Sequence, residues 1–93
     1  MIRKVKAHSK EVTITNELGM HARTAAMIAK LAAQASSKIW ISKGAETADA
    51  SSIMDMLTLE GIKGTRLKIT TEDSTDLKVL DKIINLIEKG FGE

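Results

Sequence analysis

The sequence predicts an α+β domain built as a two-layer, open-faced sandwich. Short segments in which apolar and polar residues alternate, as in half-buried strands, recur along the chain. Segments with apolar residues at helical spacing follow or separate them, and the resulting element order is βαββαβα. Strands and helices in this order predict a sheet with helices on one face and solvent on the other.

Three alternating segments and one short return segment are the predicted strands. They are residues 11–15, 38–42 and 66–70, with a return strand at 46–50 after a turn at residues 43–45. The buried face would hold Val12, Ile14, Ile39, Ile41, Leu67 and Ile69. Trp40 alternates with two of these isoleucines, so we expect it on the open face of the sheet.

Three helices are predicted. Residues 22–35 are rich in alanine, and Ala25, Ile28, Ala29 and Ala32 recur at helical spacing. A short helix over Ile53–Leu59 has Ser51 or Ser52 as its N-cap. Asp73 or Ser74 caps a final helix that ends at Gly90 and has Asp76 in its first turn. Its buried stripe would contain Leu77, Leu80, Ile83, Ile84 and Ile87.

Length and composition restrict the class of protein. A chain of 93 residues is one small domain, and the absence of cysteine excludes disulfides and thiolate metal sites. No segment has the apolar length of a signal peptide or a membrane span. We therefore expect a cytoplasmic protein without membrane insertion, metal or cofactor.

The positive charge is concentrated at the N-terminus. Four of the 14 basic residues precede the first acid, Glu11, so the remaining chain has 10 basic and 12 acidic residues. We interpret residues 1–10 as a basic extension and residues 11–93 as the domain. A nucleic-acid contact through this extension is an alternative. The two aromatic residues, Trp40 and Phe91, are too few for a base-stacking surface, so we do not favour it.

The segment from Gly19 to Ala26 carries the predicted chemistry. His21 follows a glycine and precedes the alanine-rich helix, whose first N–H groups have no partner within the helix and can hold an anion. Arg23 adds a cation suited to phosphate oxygens. A histidine placed there can act as a nucleophile toward a phosphoryl group. The alternative is an ordinary surface or helix-capping histidine.

Two motifs resemble the HPr family, the histidine-containing phosphocarriers of the bacterial phosphoenolpyruvate-dependent sugar phosphotransferase system. The first is Gly19-Met20-His21-Ala22-Arg23 followed by two alanines. The second is Ser52-Ile53-Met54 followed by Leu57 and Leu59. The resemblance covers about residues 11–90 and implies a four-stranded antiparallel sheet with three helices on one face.

The resemblance implies a monomeric phosphoryl carrier rather than a stand-alone catalyst. His21 would accept a phosphoryl group on Nδ1 from phosphorylated enzyme I and pass it to an enzyme IIA domain, with Arg23 beside it. The residues expected to bind these partners are Met20, Ala22, Thr24, Ala26, Ile53, Met54 and Leu57. For the apolar members of this set, a place in the core is the alternative.

Ser52 matches the regulatory serine of the family, which an ATP-dependent HPr kinase/phosphorylase modifies in many members. A plain N-cap is the other interpretation, and both can hold together. A second function therefore stays open: a regulatory HPr-like module that signals through Ser52, for example to a transcriptional regulator, with little transfer through His21.

Three residues depart from the family pattern, and one residue agrees with it. Thr24 stands where the family has proline. The threonine restores a backbone N–H donor that proline lacks, and it removes the fixed φ angle of the proline ring. Glu60 stands where glycine or a small residue is expected, and Asp55 places an acid in the docking segment. Asn16 matches an asparagine found in the loop before the histidine.

Overall fold

The computed structural model describes residues 7–93, and their strands form one antiparallel sheet. The strands are β1 (His8–Thr13), β2 (Ile39–Lys43), β3 (Glu46–Asp49) and β4 (Arg66–Thr71), in the spatial order β1-β4-β2-β3. The helices are α1 (Ala22–Ala32), α2 (Ile53–Leu57) and α3 (Leu77–Glu88), with single 3₁₀ turns at Ser74–Asp76 and Gly90–Gly92. The predicted α+β open-faced sandwich is confirmed.

One face of the sheet is covered by helices. Ile41 and Ile69 lie opposite each other on β2 and β4, and both are fully buried. Helix α3 packs on β1 and β4, α1 packs on α3, and α2 packs on α1 and β3. Trp40 projects from the open face, as predicted, with Lys38 Nζ 5.4 Å from its ring centre. The core thus forms between one sheet face and the three helices.

Strand β1 begins at His8, three residues before the alternating pattern indicated. Ser9 pairs with Thr70 and Lys10 pairs with Ile69, so the backbone ladder continues beyond the apolar side chains. Ladder hydrogen bonds need only the main chain, which explains why polar residues extend the strand. Lys10 is therefore part of the sheet, and its Nζ forms an ion pair with Asp81 of α3. Residues 1–6 of the predicted extension lie outside the described residues.

Helix α1 ends at Ala32, three residues earlier than predicted, because the chain tightens there: Gln34 N donates to Leu31 O at 3.0 Å and Ala35 N to Ala32 O at 3.1 Å. A carboxylate at the entrance of α3 then binds the two residues that follow. Asp76 accepts hydrogen bonds from Ser36 N (2.8 Å), Ser37 N (2.9 Å) and Ser37 Oγ (2.7 Å). These donors are held by a side chain 39 and 40 positions away rather than by helical carbonyls. Hydrogen bonds from the Ser36 backbone and from Ser37 hold the pKa of Asp76 below its ordinary value.

The caps resolve the choices that the sequence left open. Ser52 caps α2, since its hydroxyl accepts from Asp55 N at 3.2 Å, whereas the Ser51 hydroxyl donates to Asp49. Asp73 caps the 3₁₀ turn that leads into α3. Helix α2 ends at Leu57, two residues before the predicted end at Leu59. Leu77, which was expected to begin the buried stripe of α3, is only half-buried. Within residues 7–93, no helix has the length and apolar character needed to cross a bilayer.

Candidate functional site

Gly19 allows two loops to approach each other closely, two residues before the candidate nucleophile. Its φ angle is +64°, and a Cβ atom there would lie 2.5 Å from the carbonyl oxygen of Gly61. The next residue, Met20, donates its N–H to that same oxygen at 2.8 Å. This contact directs Met20 into the core and brings His21 to the surface at the start of α1.

His21 is the N-cap of α1. Its backbone is extended (φ −135°, ψ −178°), and its carbonyl accepts the first helical bond, from Ala25 N at 2.8 Å. The imidazole is 30% exposed. The predicted position of the histidine at a helix N-terminus is thus present, with a ring that is partly open to solvent.

Thr24 holds the backbone of His21 from the first turn of α1. The Thr24 residue is fully buried, and its Oγ1 accepts the N–H of His21 at 2.9 Å. The same hydroxyl can donate its hydrogen to Gly19 O (3.2 Å) or to His21 O (3.1 Å). Thr24 therefore contacts the chain on both sides of Met20.

The carboxylate of Glu93 joins three residues of the site. Its Oε1 accepts from Asn16 Nδ2 at 2.9 Å, and its Oε2 lies 3.1 Å from His21 Nε2 and pairs with Arg23. Hydrogen bonds from Asn16 and His21, with the charge of Arg23, hold the pKa of Glu93 below its ordinary value. Glu93 is thus an anion near neutral pH, so it can only accept hydrogen bonds.

The end of the chain folds back to deliver this carboxylate. Gly90 has a φ angle of +63°, and Phe91, at +58° and 4% exposed, anchors the turn in the core. Glu93 N then donates to Gly90 O at 3.0 Å. The sequence did not single out Glu93, because no local pattern reports a contact between side chains 72 positions apart. Asn16, by contrast, matches an asparagine that the family resemblance places in the loop before the histidine.

The predicted partner-binding residues divide into exposed and buried groups. Met54 is 76% exposed and Ile53 is 37% exposed, whereas Met20 is only 9% exposed and Thr24 is fully buried. The two buried side chains pack inside the domain and offer a partner little surface, so their part in partner binding stays a prediction. Ala22 and Ala26 are exposed and Leu57 is half-buried.

Two further apolar side chains are exposed near the site. Leu18 directly precedes Gly19, and Ile62 follows the glycine whose carbonyl meets Gly19; each is 70% exposed. Sequence reasoning missed both because they lie in loops, where periodicity carries no information about exposure. With Ile53 and Met54 they make up the exposed large apolar side chains of the described residues.

Ser52 lies at the start of α2, whereas His21 lies at the start of α1. Its residue is half-buried, and its backbone N–H donates to Asp49 O at 3.0 Å. Hydrogen bonds from Ser51 lower the pKa of Asp49 to about 2, and Asp55 accepts the N–H of Asp49 at 3.2 Å. A phosphate on Ser52 would therefore enter a segment that already carries two carboxylates.

The chain is similar to known phosphocarriers over most of its length. A family model described as the PTS HPr component phosphorylation site matches residues 8–89. The phosphocarrier protein HPr of Neisseria meningitidis serogroup B is 30% identical over 84 residues, which cover 90% of this chain and 94% of that protein. The phosphocarrier protein NPr of Shewanella violacea is 34% identical, covering 90% and 92% of the two chains.

Solved structures agree with these sequence matches. The crystal structure of HPr-C-His from Thermoanaerobacter tengcongensis has a TM-score of 0.86 at 32% identity, covering 92% of this chain and 97% of that one. The HPr structure from Bacillus anthracis has a TM-score of 0.80 at 30% identity, covering 87% and 96%. The fold and the matched segment together define a phosphocarrier of the phosphotransferase system. Within that class, the chain belongs to the HPr family.

Proposed function

We propose that His21 is the residue that carries the phosphoryl group, which it takes from phosphorylated enzyme I and gives to enzyme IIA domains. The observation that carries this proposal is the contact of Glu93 with Nε2 of the imidazole, at 3.1 Å. An ionised carboxylate accepts only, so Nε2 holds the ring hydrogen. In a neutral imidazole, Nδ1 then carries the unprotonated lone pair.

The transfer step follows from that tautomer. The Nδ1 lone pair attacks phosphorus while the bond from phosphorus to the enzyme I donor breaks, and the donor keeps that electron pair. Positive charge develops on the ring, and the carboxylate bound to Nε2–H stabilises it. Passing the group to an enzyme IIA domain reverses the step, so the carrier needs no cofactor of its own.

Arg23 is proposed to bind the phosphoryl oxygens. Its side chain is 61% exposed and is paired with Glu93, so it can turn toward an incoming dianion with little rearrangement. In the free protein the carboxylate of Glu93 neutralises the charge of Arg23, and after transfer the negative phosphoryl group neutralises it instead. Such an exchange keeps the phosphorylated form from being so stable that the group no longer leaves.

The surface around His21 suits docking of both partners. Enzyme I and enzyme IIA domains are the general partners of the family. We propose that they contact Ala22, Ala26, Ile53, Met54 and Leu57, together with the two exposed loop residues Leu18 and Ile62. Thioether and aliphatic side chains adapt to different partner surfaces, which a carrier that serves several proteins requires.

The first experiment locates the phosphate. Purified protein is incubated with phosphoenolpyruvate and enzyme I, and the mass and acid lability of the product are measured. The chain has two histidines, so His8→Ala is a matched control for His21→Ala. We expect one acid-labile phosphate on the wild type and on His8→Ala, and none on His21→Ala. A labelled His21→Ala, or an unlabelled wild type beside an active control HPr, would overturn the proposal.

We further propose Ser52 as the position of regulatory phosphorylation, with an HPr kinase/phosphorylase as the enzyme and a transcriptional regulator as a protein that binds the phosphorylated form. Its N-cap place and its motif support this assignment. Incubation with ATP and the kinase should give acid-stable phosphate on the wild type and on Ser51→Ala but none on Ser52→Ala. If the neighbouring carboxylates Asp49 and Asp55 exclude the kinase, the wild type stays unlabelled and the assignment fails.

A further inference from the structure

Thr24 makes hydrogen bonds that a proline at the same position could not make. Its hydroxyl accepts the N–H of His21 at 2.9 Å and lies within donating distance of the Gly19 and His21 carbonyls. The residue is completely buried, so water does not compete for these groups. A proline at this position would restrict φ but would offer no hydroxyl.

This arrangement controls where the imidazole projects. The N–H of His21 is held by the hydroxyl, and the His21 carbonyl is held by Ala25 N, so both peptide groups of the residue have fixed partners. Gly19 O receives a second donor from Asn16 Nδ2 at 2.9 Å. A side chain at N3 that accepts the N-cap N–H is one half of a capping box, and it determines the direction in which the N-cap residue enters the helix.

We propose that Thr24 is a positioning residue for phosphoryl transfer through His21. Its hydroxyl holds the backbone that presents Nδ1 through hydrogen bonds to the peptide groups on both sides of Met20. This inference rests on the proposed function, since it concerns the geometry of the nucleophile. Thr24 does not touch the phosphoryl group itself.

The variants separate positioning from stability. Thr24→Val removes the hydroxyl at nearly constant shape, and Thr24→Ser keeps it. Thr71→Val is the matched control. Thr71 is also fully buried, and its hydroxyl accepts the N–H of Asp73, but it lies on β4 opposite Ile39 of β2 rather than on α1. Thr24→Ala removes the same hydroxyl without branching and replaces the valine variant if valine prevents folding.

The kinetic readout is transfer from phosphorylated enzyme I, measured well below each variant's melting temperature. Small displacements of a reacting atom cost up to about a hundredfold in rate, so we expect kcat to fall about tenfold in Thr24→Val. KM for enzyme I should stay within about twofold, because the exposed docking residues are unchanged. Thr24→Ser and Thr71→Val should transfer at close to the wild-type rate. Wild-type transfer by a folded Thr24→Val would overturn the inference.

Amide hydrogen exchange at His21 is a second readout that does not depend on phosphorylation. Loss of its acceptor should speed exchange at the His21 N–H about tenfold or more in Thr24→Val, with no such change in Thr71→Val. Unchanged exchange at this amide in Thr24→Val would refute the claim that the Thr24 hydroxyl holds the His21 N–H. A wild type that takes no phosphate at all would refute the proposed function, and the exchange result would still decide whether Thr24 holds the backbone.

Discussion

Gly19 shows how closely the site depends on a single residue type. The glycine combines a positive φ angle with a backbone approach that leaves no room for a methyl group. That approach lets Met20 N reach Gly61 O at 2.8 Å, and this bond fixes where α1 begins. The position of His21 therefore depends on the absence of a side chain two residues earlier.

Gly19→Ala should cost about 2–4 kcal/mol in the free energy of unfolding, because the left-handed backbone is strained and the methyl group meets a carbonyl. Gly44→Ala is the matched control: its φ angle is +59°, but nothing lies within 4 Å of its Cβ position. Its free energy of unfolding should fall by only about 1 kcal/mol, because only the left-handed backbone conformation is strained. Urea unfolding measures both. Equal losses would mean that the contact with Gly61 contributes nothing.

At the scale of the elements, the backbone just after α2 is strained at one residue, Glu60. After Leu57 the backbone makes tight turns, with Leu59 N donating to Met56 O and Glu60 N to Leu57 O. Glu60 then adopts a φ angle of +52°, a conformation that glycine enters without a steric penalty. This explains why a glycine or a small residue was expected there from the resemblance.

Glu60→Gly should stabilise the protein by about 0.5–1 kcal/mol, since relief of the strain outweighs the greater freedom of the unfolded chain. For a domain of this size, that corresponds to a rise in Tm of roughly 2–8 °C. Thermal unfolding followed by circular dichroism measures the change. Glu72→Gly, at an exposed glutamate without a positive φ angle, should instead lower Tm. A fall of similar size in both variants would contradict the assignment of strain to Glu60.

For the whole molecule, Asp76 and the candidate site lie at opposite ends of α1. Asp76 is 2% exposed and joins the connection after α1 to the start of α3 through three hydrogen bonds. At the other end, Glu93 joins the residues after α3 to the start of α1. The two carboxylates thus tie the same pair of helices together at both ends.

Asp76→Asn should lower Tm at neutral pH, and the difference from the wild type should depend on pH. A carboxyl with a lowered folded-state pKa stabilises the fold above its unfolded pKa of about 3.9 and loses that contribution as the pH falls through the folded-state value. The two Tm curves should therefore run parallel above about pH 5 and converge below about pH 4.

The matched control for that series is Asp81→Asn. Asp81 is an exposed carboxylate paired with Lys10, so its replacement should change Tm little at any pH. Curves for the wild type and Asp76→Asn that stay parallel down to pH 2 would contradict the stabilising role of the Asp76 charge.

Much of the fold and part of the site could be predicted from the sequence. The alternation around Val12 and Ile41, the stripe of α3 and the cap at Ser52 are local signals, because each acts over a few residues through backbone periodicity or a short-range hydrogen bond. The placement of His21 and Arg23 at the start of a helix followed from the same kind of signal.

Other features were decided only by the tertiary structure. The contact of Glu93 with His21, the burial of Met20 and the extra residues of β1 each depend on segments that lie far apart in the chain. The hydroxyl bonds of Thr24 are local, but its burial depends on packing of α1. Sequence patterns report how residues behave relative to their neighbours. Distances between remote side chains arise only when the sheet and helices pack together, so the tautomer and charge balance of the site could not be predicted from the sequence.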